Sequence, residues 1–367
     1  MKPIRLKVNT LNQKYQIIIG NNILNNIQKL LKENSITYNQ SLVVVDKNVP
    51  IKLLKKILTS LKKKPIIYYF NANEKNKNQK SVNKILSILL KSNFNRNDCL
   101  ISVGGGITGD VSAFAASIFK RGIKFVNVPT TLLSQVDSSI GGKTGINTIN
   151  GKNLIGTFYQ PHLVISEIEF LKYLPKREIM CGYGEILKHS LIADKSFFLF
   201  LDKNGTNILN LKSPLIENTI YKSCYIKKKV VENDEKEKNL RKILNFGHTF
   251  AHAFEATLGY SKKLNHGEAV LLGIRCVIRF SLLNKILNIR EFRLIEKHFN
   301  KLNLPRNINN FLNKGNCNKV LSFMRKDKKN YTNKINLVLI KKIGSPIYGL
   351  EFSEKKINSF LKRELAN

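Results

Sequence analysis

Short apolar runs alternate with helix-like stretches through the first part of the chain, and this alternation constrains the fold more than any other feature. The runs Tyr15–Ile19, Leu42–Asp46, Ile66–Phe70, Leu100–Val103 and Phe125–Val128 are rich in β-branched and aromatic residues, as strands are. Between them lie Ile23–Leu31, Ile51–Leu61, Ser81–Leu90 and Thr108–Phe119, with helical character. Such alternation predicts a parallel sheet with crossover helices. From about Glu169 the pattern changes to long helical periods: Lys176–Ala193, Pro214–Asn233, Phe246–Leu258 and His266–Leu283. Pro175 suits a helix start, and Ile335–Ile340 reads as a late strand. The expected architecture is an α/β N-terminal domain with a mainly parallel sheet over residues 1–170, followed by a mostly α-helical domain over residues 171–367. The polar stretch Asn71–Lys80 is expected to be a mobile loop.

The charge balance is extreme, with 62 Lys and Arg against 25 Asp and Glu, a net +37. The lysines are nevertheless spread along the whole chain, no basic segment interleaves with aromatics, and Trp is absent. These features argue against a nucleic-acid partner. Lys, Asn and Ile abound together, and all three have AT-rich codons. A strong positive field still favours a small anionic substrate. No apolar run approaches the roughly 18 to 20 residues that span a bilayer, so no membrane partner is expected. Met1–Thr10 lacks the apolar core of a signal peptide, and the expected location is cytoplasmic. The five cysteines never form C-x-x-C. An odd, scattered set suits a reducing compartment and small core residues.

Leu100–Val103 runs into Gly104-Gly105-Gly106-Ile107-Thr108-Gly109-Asp110, with a helix after it. Consecutive glycines after a strand let backbone approach a phosphate, and a following helix N-terminus favours its charge. The loop is neither G-x-G-x-x-G nor a P-loop, and a tight turn is its plainer reading. Asp110 suits the first helical turn or a ligand hydroxyl. Pro129-Thr130-Thr131 follows a strand directly. Asp137–Lys143 and Lys152-Asn153 set lysines in polar, glycine-rich loops, a context for phosphate and polyol recognition.

The six histidines are His162, His189, His248, His252, His266 and His298. His248 and His252 lie four apart on one helical face, His266 opens the next helix, and Gly184-Glu185-Ile186-Leu187-Lys188 puts a carboxylate and a lysine one turn apart. Glu185, His248 and His266 form a Glu-plus-two-His set of the kind that holds catalytic zinc with positions left open. The His248/His252 pair alone leaves open two metal ligands, or one ligand and one acid/base. His189 reads as a surface or core polar residue and His298 as helix surface.

With these residues in view, the chain resembles the 3-dehydroquinate synthase family of the shikimate pathway, from about residue 40 to about residue 345. The resemblance rests on G-G-G-I-T-G-D, on Pro129–Asn147 (P-T-T-L-L-S-Q-V-D-S-S-I-G-G-K-T-G-I-N), and on G-K-N-L-I-G-T-F-Y-Q-P from Gly151. It continues in G-Y-G-E-I-L-K-H, D-E-K-E-K-N-L-R-K-I-L-N-F-G-H-T-F-A-H, H-G-E-A-V and M-R-K-D-K-K-N. It implies an NAD-binding α/β domain, a metal- and substrate-binding helical domain, and a site in the cleft between them. The implied enzyme is a carbon–oxygen lyase dependent on NAD+ and a divalent metal, Zn2+ or Co2+. It would convert 3-deoxy-D-arabino-heptulosonate 7-phosphate to 3-dehydroquinate and phosphate by transient oxidation, phosphate elimination, reduction, ring opening and aldol closure. The alternatives are a related cyclase such as 2-deoxy-scyllo-inosose synthase and a polyol dehydrogenase of the same fold.

Carried over by position, the resemblance implies metal ligation by Glu185, His248 and His266. It implies NAD contacts at Asp46, Glu74, Lys77, Gly105, Gly106, Ile107, Thr108, Gly109, Asp110, Thr130, Thr131, Lys143, Lys152, Phe170, Leu171, Lys172 and Tyr173. Substrate contacts would come from Asp137, Lys143, Lys152, Asn153, Lys188, Lys227, Arg241, Asn245 and His252, with a lysine from Asp327-Lys328-Lys329. A homodimer is implied, with Arg121 reaching the neighbouring active site. The chain departs from the family pattern at Ala72-Asn73, where Asp-Gly is usual, at Tyr173, where a Thr is usual, at Tyr183-Gly184 and Ala251, and by a one-residue length change in Lys262–Asn265.

Overall fold

A computed structural model of the chain describes residues 2–326 and 334–366. Cα packing groups the chain into two compact units that interleave along it: Met1–Ile179 with Ser213–Lys236, and Met180–Lys212 with Glu237–Asn367.

The first unit begins with β1 (Ile4–Asn9), β2 (Lys14–Gly20), α1 (Ile27–Glu33), β3 (Ser41–Asp46), α2 (Ile51–Ser60), β4 (Ile66–Phe70) and α3 (Gln79–Lys91). It continues with β5 (Cys99–Gly104), α4 (Gly106–Ile118), β6 (Lys124–Pro129), β7 (Lys143–Thr148), β8 (Gly151–Phe158) and β9 (Leu163–Glu167). Seven strands form one sheet in the order β1-β2-β9-β6-β5-β3-β4. Only β1 runs antiparallel to its neighbour; the other pairings are parallel. The central strands are apolar without alternation because both faces are covered. Val43, Val45, Ile101 and Val103 pack under α1 and α2. Leu42, Val44 and Leu100 pack against Val82, Ile85 and Leu89 of α3 and Val111 and Ala115 of α4.

β3 leads through α2 to β4 on one side, whereas β5 leads through α4 to β6 on the other. The chain therefore reverses direction across the sheet between β3 and β5, where open α/β sheets hold ligands at their carboxyl ends. Asp46 closes β3 and Gly104 closes β5, so the two flank that crevice. Within the stretch Asn71–Lys80 lie a short 3-10 turn and the start of α3. Asn73 caps a short 3-10 turn by accepting from Asn76 N, and Asn78 caps α3 by accepting from Ser81 N.

The remaining elements are α5 (Lys176–Ala193), α6 (Lys195–Leu209), α7 (Leu215–Asn233), α8 (His248–Thr257), α9 (His266–Leu283), α10 (Ile289–Lys301), α11 (Cys317–Lys326), β10 (Lys334–Lys342), β11 (Ser345–Ser353) and α12 (Glu354–Glu364). α7 belongs with the first unit and the others from α6 onward with the second. Asn265 and Glu268 form a capping box that fixes the start of α9 at His266. The helix-surface expectation for His298 is overturned. His298 is fully buried on α10, bonded through Nε2 to the Tyr183 hydroxyl at 2.9 Å and through Nδ1 to Asp202 at 3.1 Å. A polar ring is tolerated there because both nitrogens have partners. All five cysteines are buried free thiols. Among the described residues, no helix is long and apolar enough to cross a membrane.

His162 gives the first unit an acid-sensitive point. Its Nδ1 accepts from Phe125 N at 3.2 Å, which requires a neutral ring. Burial, and then Lys124, push its pKa down from 6.5 to about 4. The folded value lies below the unfolded one, so this contribution is complete above pH 6.5 and is lost as pH falls toward 4. The loss amounts to at most ~3 kcal/mol. Replacing His162 with Gln should flatten urea-unfolding free energy against pH in that window, and a slope equal to the parent's would refute the assignment.

Candidate functional site

In the first unit, α4 starts directly from the glycine loop, with Gly105 as its N-cap and Gly106 as its first residue. Thr130 N donates to Gly104 O at 3.0 Å, drawing the loop after β6 beside the loop after β5. A Cβ on Gly106 would lie 2.9 Å from Ser138 Oγ, so only glycine leaves this approach to the helix start open. Lys77 is buried and donates to Asp110 Oδ2 at 2.5 Å and to Asn153 Oδ1 at 2.6 Å. Burial raises the Asp110 pKa against the opposing pull of Lys77. Burial also raises that of Asp46, whose Oδ1 accepts from Asn48 N. Glu74 takes Lys152 at 3.2 Å and Asn147 Nδ2 at 2.8 Å. Lys227, on α7, donates to Asp137 Oδ1 at 2.6 Å and to Asp137 O at 2.7 Å.

The structure thus brings Asp46, Glu74, Lys77, Asp110, Asn153 and Lys152 to the loops at the sheet's carboxyl edge. Ile107 is half-buried, while Thr108 and Gly109 are buried within α4. Phe170 and Leu171 are buried, Phe170 within the hydrophobic core. Lys172 and Tyr173 are exposed. Arg121 lies in an exposed loop after α4 and has positive φ. Lys328 and Lys329 lie outside the described residues.

In the second unit, α5, α8 and α9 each deliver one donor to one point. Glu185 is fully buried. Its Oε1 lies 3.4 Å from His248 Nε2 and 3.8 Å from His266 Nε2. One donor atom from each of the three residues lies within 4.8 Å of the others. Burial opposes charge on Glu185, but the adjoining Lys188 ammonium and then His248 hold its carboxyl well below the ordinary value. Burial, and then Lys188, push His248 down to about 4 against the pull of Glu185. The set therefore offers an ionised carboxylate and a neutral imidazole, the protonation states that metal ligation requires.

Sequence reasoning missed two carboxylates here, one bonded to His266 of this set and one to Asn245. His266 Nδ1 donates to the buried Glu255 Oε2 at 2.9 Å, which leaves Nε2 facing Glu185. Glu237 accepts from Asn245 Nδ2 at 2.9 Å. Position 255 was findable: His248, His252 and Glu255 follow i, i+4, i+7 spacing on one face of α8. Replacing Glu255 with Gln should weaken metal binding about 10- to 100-fold in chelator competition; an unchanged affinity would remove it from the set. His252 stands beside this candidate set, its ring centroid 5.2 Å from that of His248. Arg241 is buried in the turn before α8.

The chain matches the 3-dehydroquinate synthase N-terminal family over residues 67–181 and the 3-dehydroquinate synthase C-terminal family over residues 182–330. It is 70% identical over 363 residues to the 3-dehydroquinate synthase of Pelagibacter ubique (strain HTCC1062), covering 99% of each chain. The chain belongs to the 3-dehydroquinate synthase family. It is also 40% identical to the 3-dehydroquinate synthase of Dictyoglomus thermophilum over 366 residues, 97% of each chain. Among solved structures, it shares its fold with 2-deoxy-scyllo-inosose synthase complexed with carbaglucose-6-phosphate, NAD+ and Co2+, at TM-score 0.88 and 23% identity, covering 98% of this chain and 100% of that one. It also shares its fold with ValA, the 2-epi-5-epi-valiolone synthase of Streptomyces hygroscopicus subsp. jinggangensis 5008 with NAD+ and Zn2+ bound, at TM-score 0.85 and 22% identity, covering 98% and 99%.

Proposed function

We propose that this chain converts 3-deoxy-D-arabino-heptulosonate 7-phosphate to 3-dehydroquinate and inorganic phosphate, as a carbon–oxygen lyase dependent on NAD+ and Zn2+ or Co2+. The observation that carries the reading is the 70% identity to a 3-dehydroquinate synthase over 99% of both chains. Glu185, His248 and His266 would hold the metal. NAD+ would be held by Asp46, Glu74, Lys77, the Gly105–Asp110 turn, Thr130, Thr131, Lys143, Lys152 and the 170–173 segment. The glycine cradle at the start of α4 fits a pyrophosphate. When bound, the metal supplies Lewis acidity to sugar hydroxyls, and NAD+ takes up a hydride and returns it.

The chain's own side chains supply charge and orientation. Lys152, Lys188, Lys227, Arg241 and Asn245 present donors to substrate phosphate and carboxylate. Asp137, held by Lys227, and Asn153, held by Lys77, present oxygens beside those cations. His252 is placed as a proton relay. The working form is a homodimer in which Arg121 completes the phosphate site of the other copy.

Incubation with the heptulosonate phosphate, NAD+ and Zn2+ is expected to release phosphate without net NADH, and a chelator should stop it. Stoichiometric NADH would indicate a dehydrogenase instead. Turnover of a hexose 6-phosphate lacking the carboxylate would overturn the substrate assignment.

A further inference from the structure

We infer that Tyr183, His298 and Asp202 are positioning residues for the proposed metal centre, a buried hydrogen-bonded chain that fixes the rotation of α5 and so the direction of Glu185. The inference rests on the ligand set proposed above and deepens it. The chain departs from the family pattern at Tyr183-Gly184, so the resemblance does not supply this role.

Every residue of α5 from Cys181 to Ile192 is buried. Apolar burial is non-directional, so it holds a helix in place without selecting one rotation of it. Directional contacts make that selection. Residues two apart on a helix point about 200° apart, so Tyr183 and Glu185 leave α5 on opposite sides. On one side, Glu185 Oε1 lies 3.4 Å from His248 Nε2 and 3.8 Å from His266 Nε2. On the other, Tyr183 meets His298 of α10. Between them, a Cβ on Gly184 would lie 2.8 Å from Gly267 O at the start of α9. The glycine sets how close α5 comes to α9, and the tyrosine sets how α5 is turned.

The hydrogen-bonded chain has one polarity. His298 Nδ1 lies 3.1 Å from Asp202 Oδ1. A carboxylate accepts, so Nδ1 carries the ring proton. Nε2 is then the acceptor, and the Tyr183 hydroxyl donates to it at 2.9 Å. Burial lowers the His298 pKa against the opposing pull of Asp202, which keeps the ring neutral and Nε2 able to accept. The Phe198 ring packs on the imidazole, centroids 5.3 Å apart, and holds it in this orientation. Among the described residues, the Tyr183 hydroxyl has no other hydrogen-bond partner. Turning α5 therefore strands a buried hydroxyl, which is costly. The leverage at the metal is large: a carboxylate about 6 Å from the helix axis moves about 1 Å for each ~10° of rotation.

Tyr183→Phe tests this, because it removes one oxygen and leaves the ring in place. In chelator competition with Zn2+ or Co2+, it should weaken metal binding about tenfold, the low end for groups that support a metal ligand from behind. At saturating metal, kcat for phosphate release should fall about tenfold with KM changed less than about twofold, the pattern of a misplaced reacting group with substrate contacts kept. His298→Leu should act in the same way. His298→Gln should recover most of the lost affinity, because an amide offers an acceptor to Tyr183 and a donor to Asp202. Ile295→Val is the control. It trims a fully buried side chain one turn earlier on α10 and should lower the melting temperature without changing metal affinity. Tyr183→Phe decides the matter should His298→Leu not fold. A Tyr183→Phe protein that melts earlier but keeps the parent's metal affinity and kcat would make the chain merely structural and overturn the inference. A Gln variant no better than Leu would do the same. A parent that binds neither metal would overturn the ligand set itself, and this inference with it.

Discussion

Glutamine at position 185 is expected to abolish turnover and to weaken Zn2+ or Co2+ binding by a hundredfold to a thousandfold. The substitution keeps side-chain shape and removes charge, so packing around this fully buried residue stays as it is. A four-ligand zinc set contributes about 10–16 kcal/mol, or roughly 3 kcal/mol per ligand. Loss of the only carboxylate in the set costs at least that share. The apo protein should suffer as well. Lys188 is 2% exposed and ion-paired with Glu185 one turn away. Breaking a buried pair from one side costs about 3 kcal/mol, because the remaining charge is stranded. Chelator competition and urea unfolding should therefore both respond. A variant that keeps the parent's metal affinity would remove Glu185 from the ligand set, whatever its activity.

The parts of this fold that could be read from the sequence are those whose burial leaves a period. β3 and β5 are apolar on both faces because helices cover both, and the Leu42–Asp46 and Leu100–Val103 runs report this directly. α5 and α9 begin and end where their patterns do, at Lys176–Ala193 and His266–Leu283. Periodicity carries no information about which element packs on which. That is why α7, helical in sequence like its neighbours, gave no sign of grouping with the first unit. The β7–β8 hairpin was illegible for a related reason: β8 buries neither face along its exposed run, so its residues show no alternation. In the candidate metal set, residue type and spacing pointed to three side chains that the structure brings within 4.8 Å of one another, but not to all of their partners. Glu255 shares a face of α8 with His248 and His252, but what it bonds shows only when α9 brings His266 to it at 2.9 Å. His298 likewise looks exposed until Tyr183 and Asp202 meet its two nitrogens.

Alanine at position 267 should be nearly as damaging as glutamine at 185, although it touches no ligand atom. Each proposed ligand has a glycine beside it in sequence: Gly184 before Glu185, Gly247 before His248 and Gly267 after His266. A Cβ on Gly267 would lie 2.2 Å from both Cys181 Cα and Cys181 O. These are backbone atoms of α5, so no side-chain rotation relieves the overlap. Restoring even a tight contact of 3.4 Å requires more than an ångström of separation between α5 and the start of α9. Those two segments carry Glu185 and His266. Overpacking of this kind costs about 1–3 kcal/mol, and an ångström of misplacement at a reacting centre costs about a hundredfold in rate. The expected result is a folded, destabilised variant with metal affinity and kcat/KM both reduced on the order of a hundredfold. Gly259→Ala separates this wedge from backbone strain. Gly259 has φ +65° and nothing within 4 Å of a built Cβ. Alanine there should cost about 1 kcal/mol through its left-handed conformation alone and leave metal affinity unchanged. If Gly267→Ala matched Gly259→Ala in metal affinity, the close approach of α5 and α9 would not be what holds the three donors together.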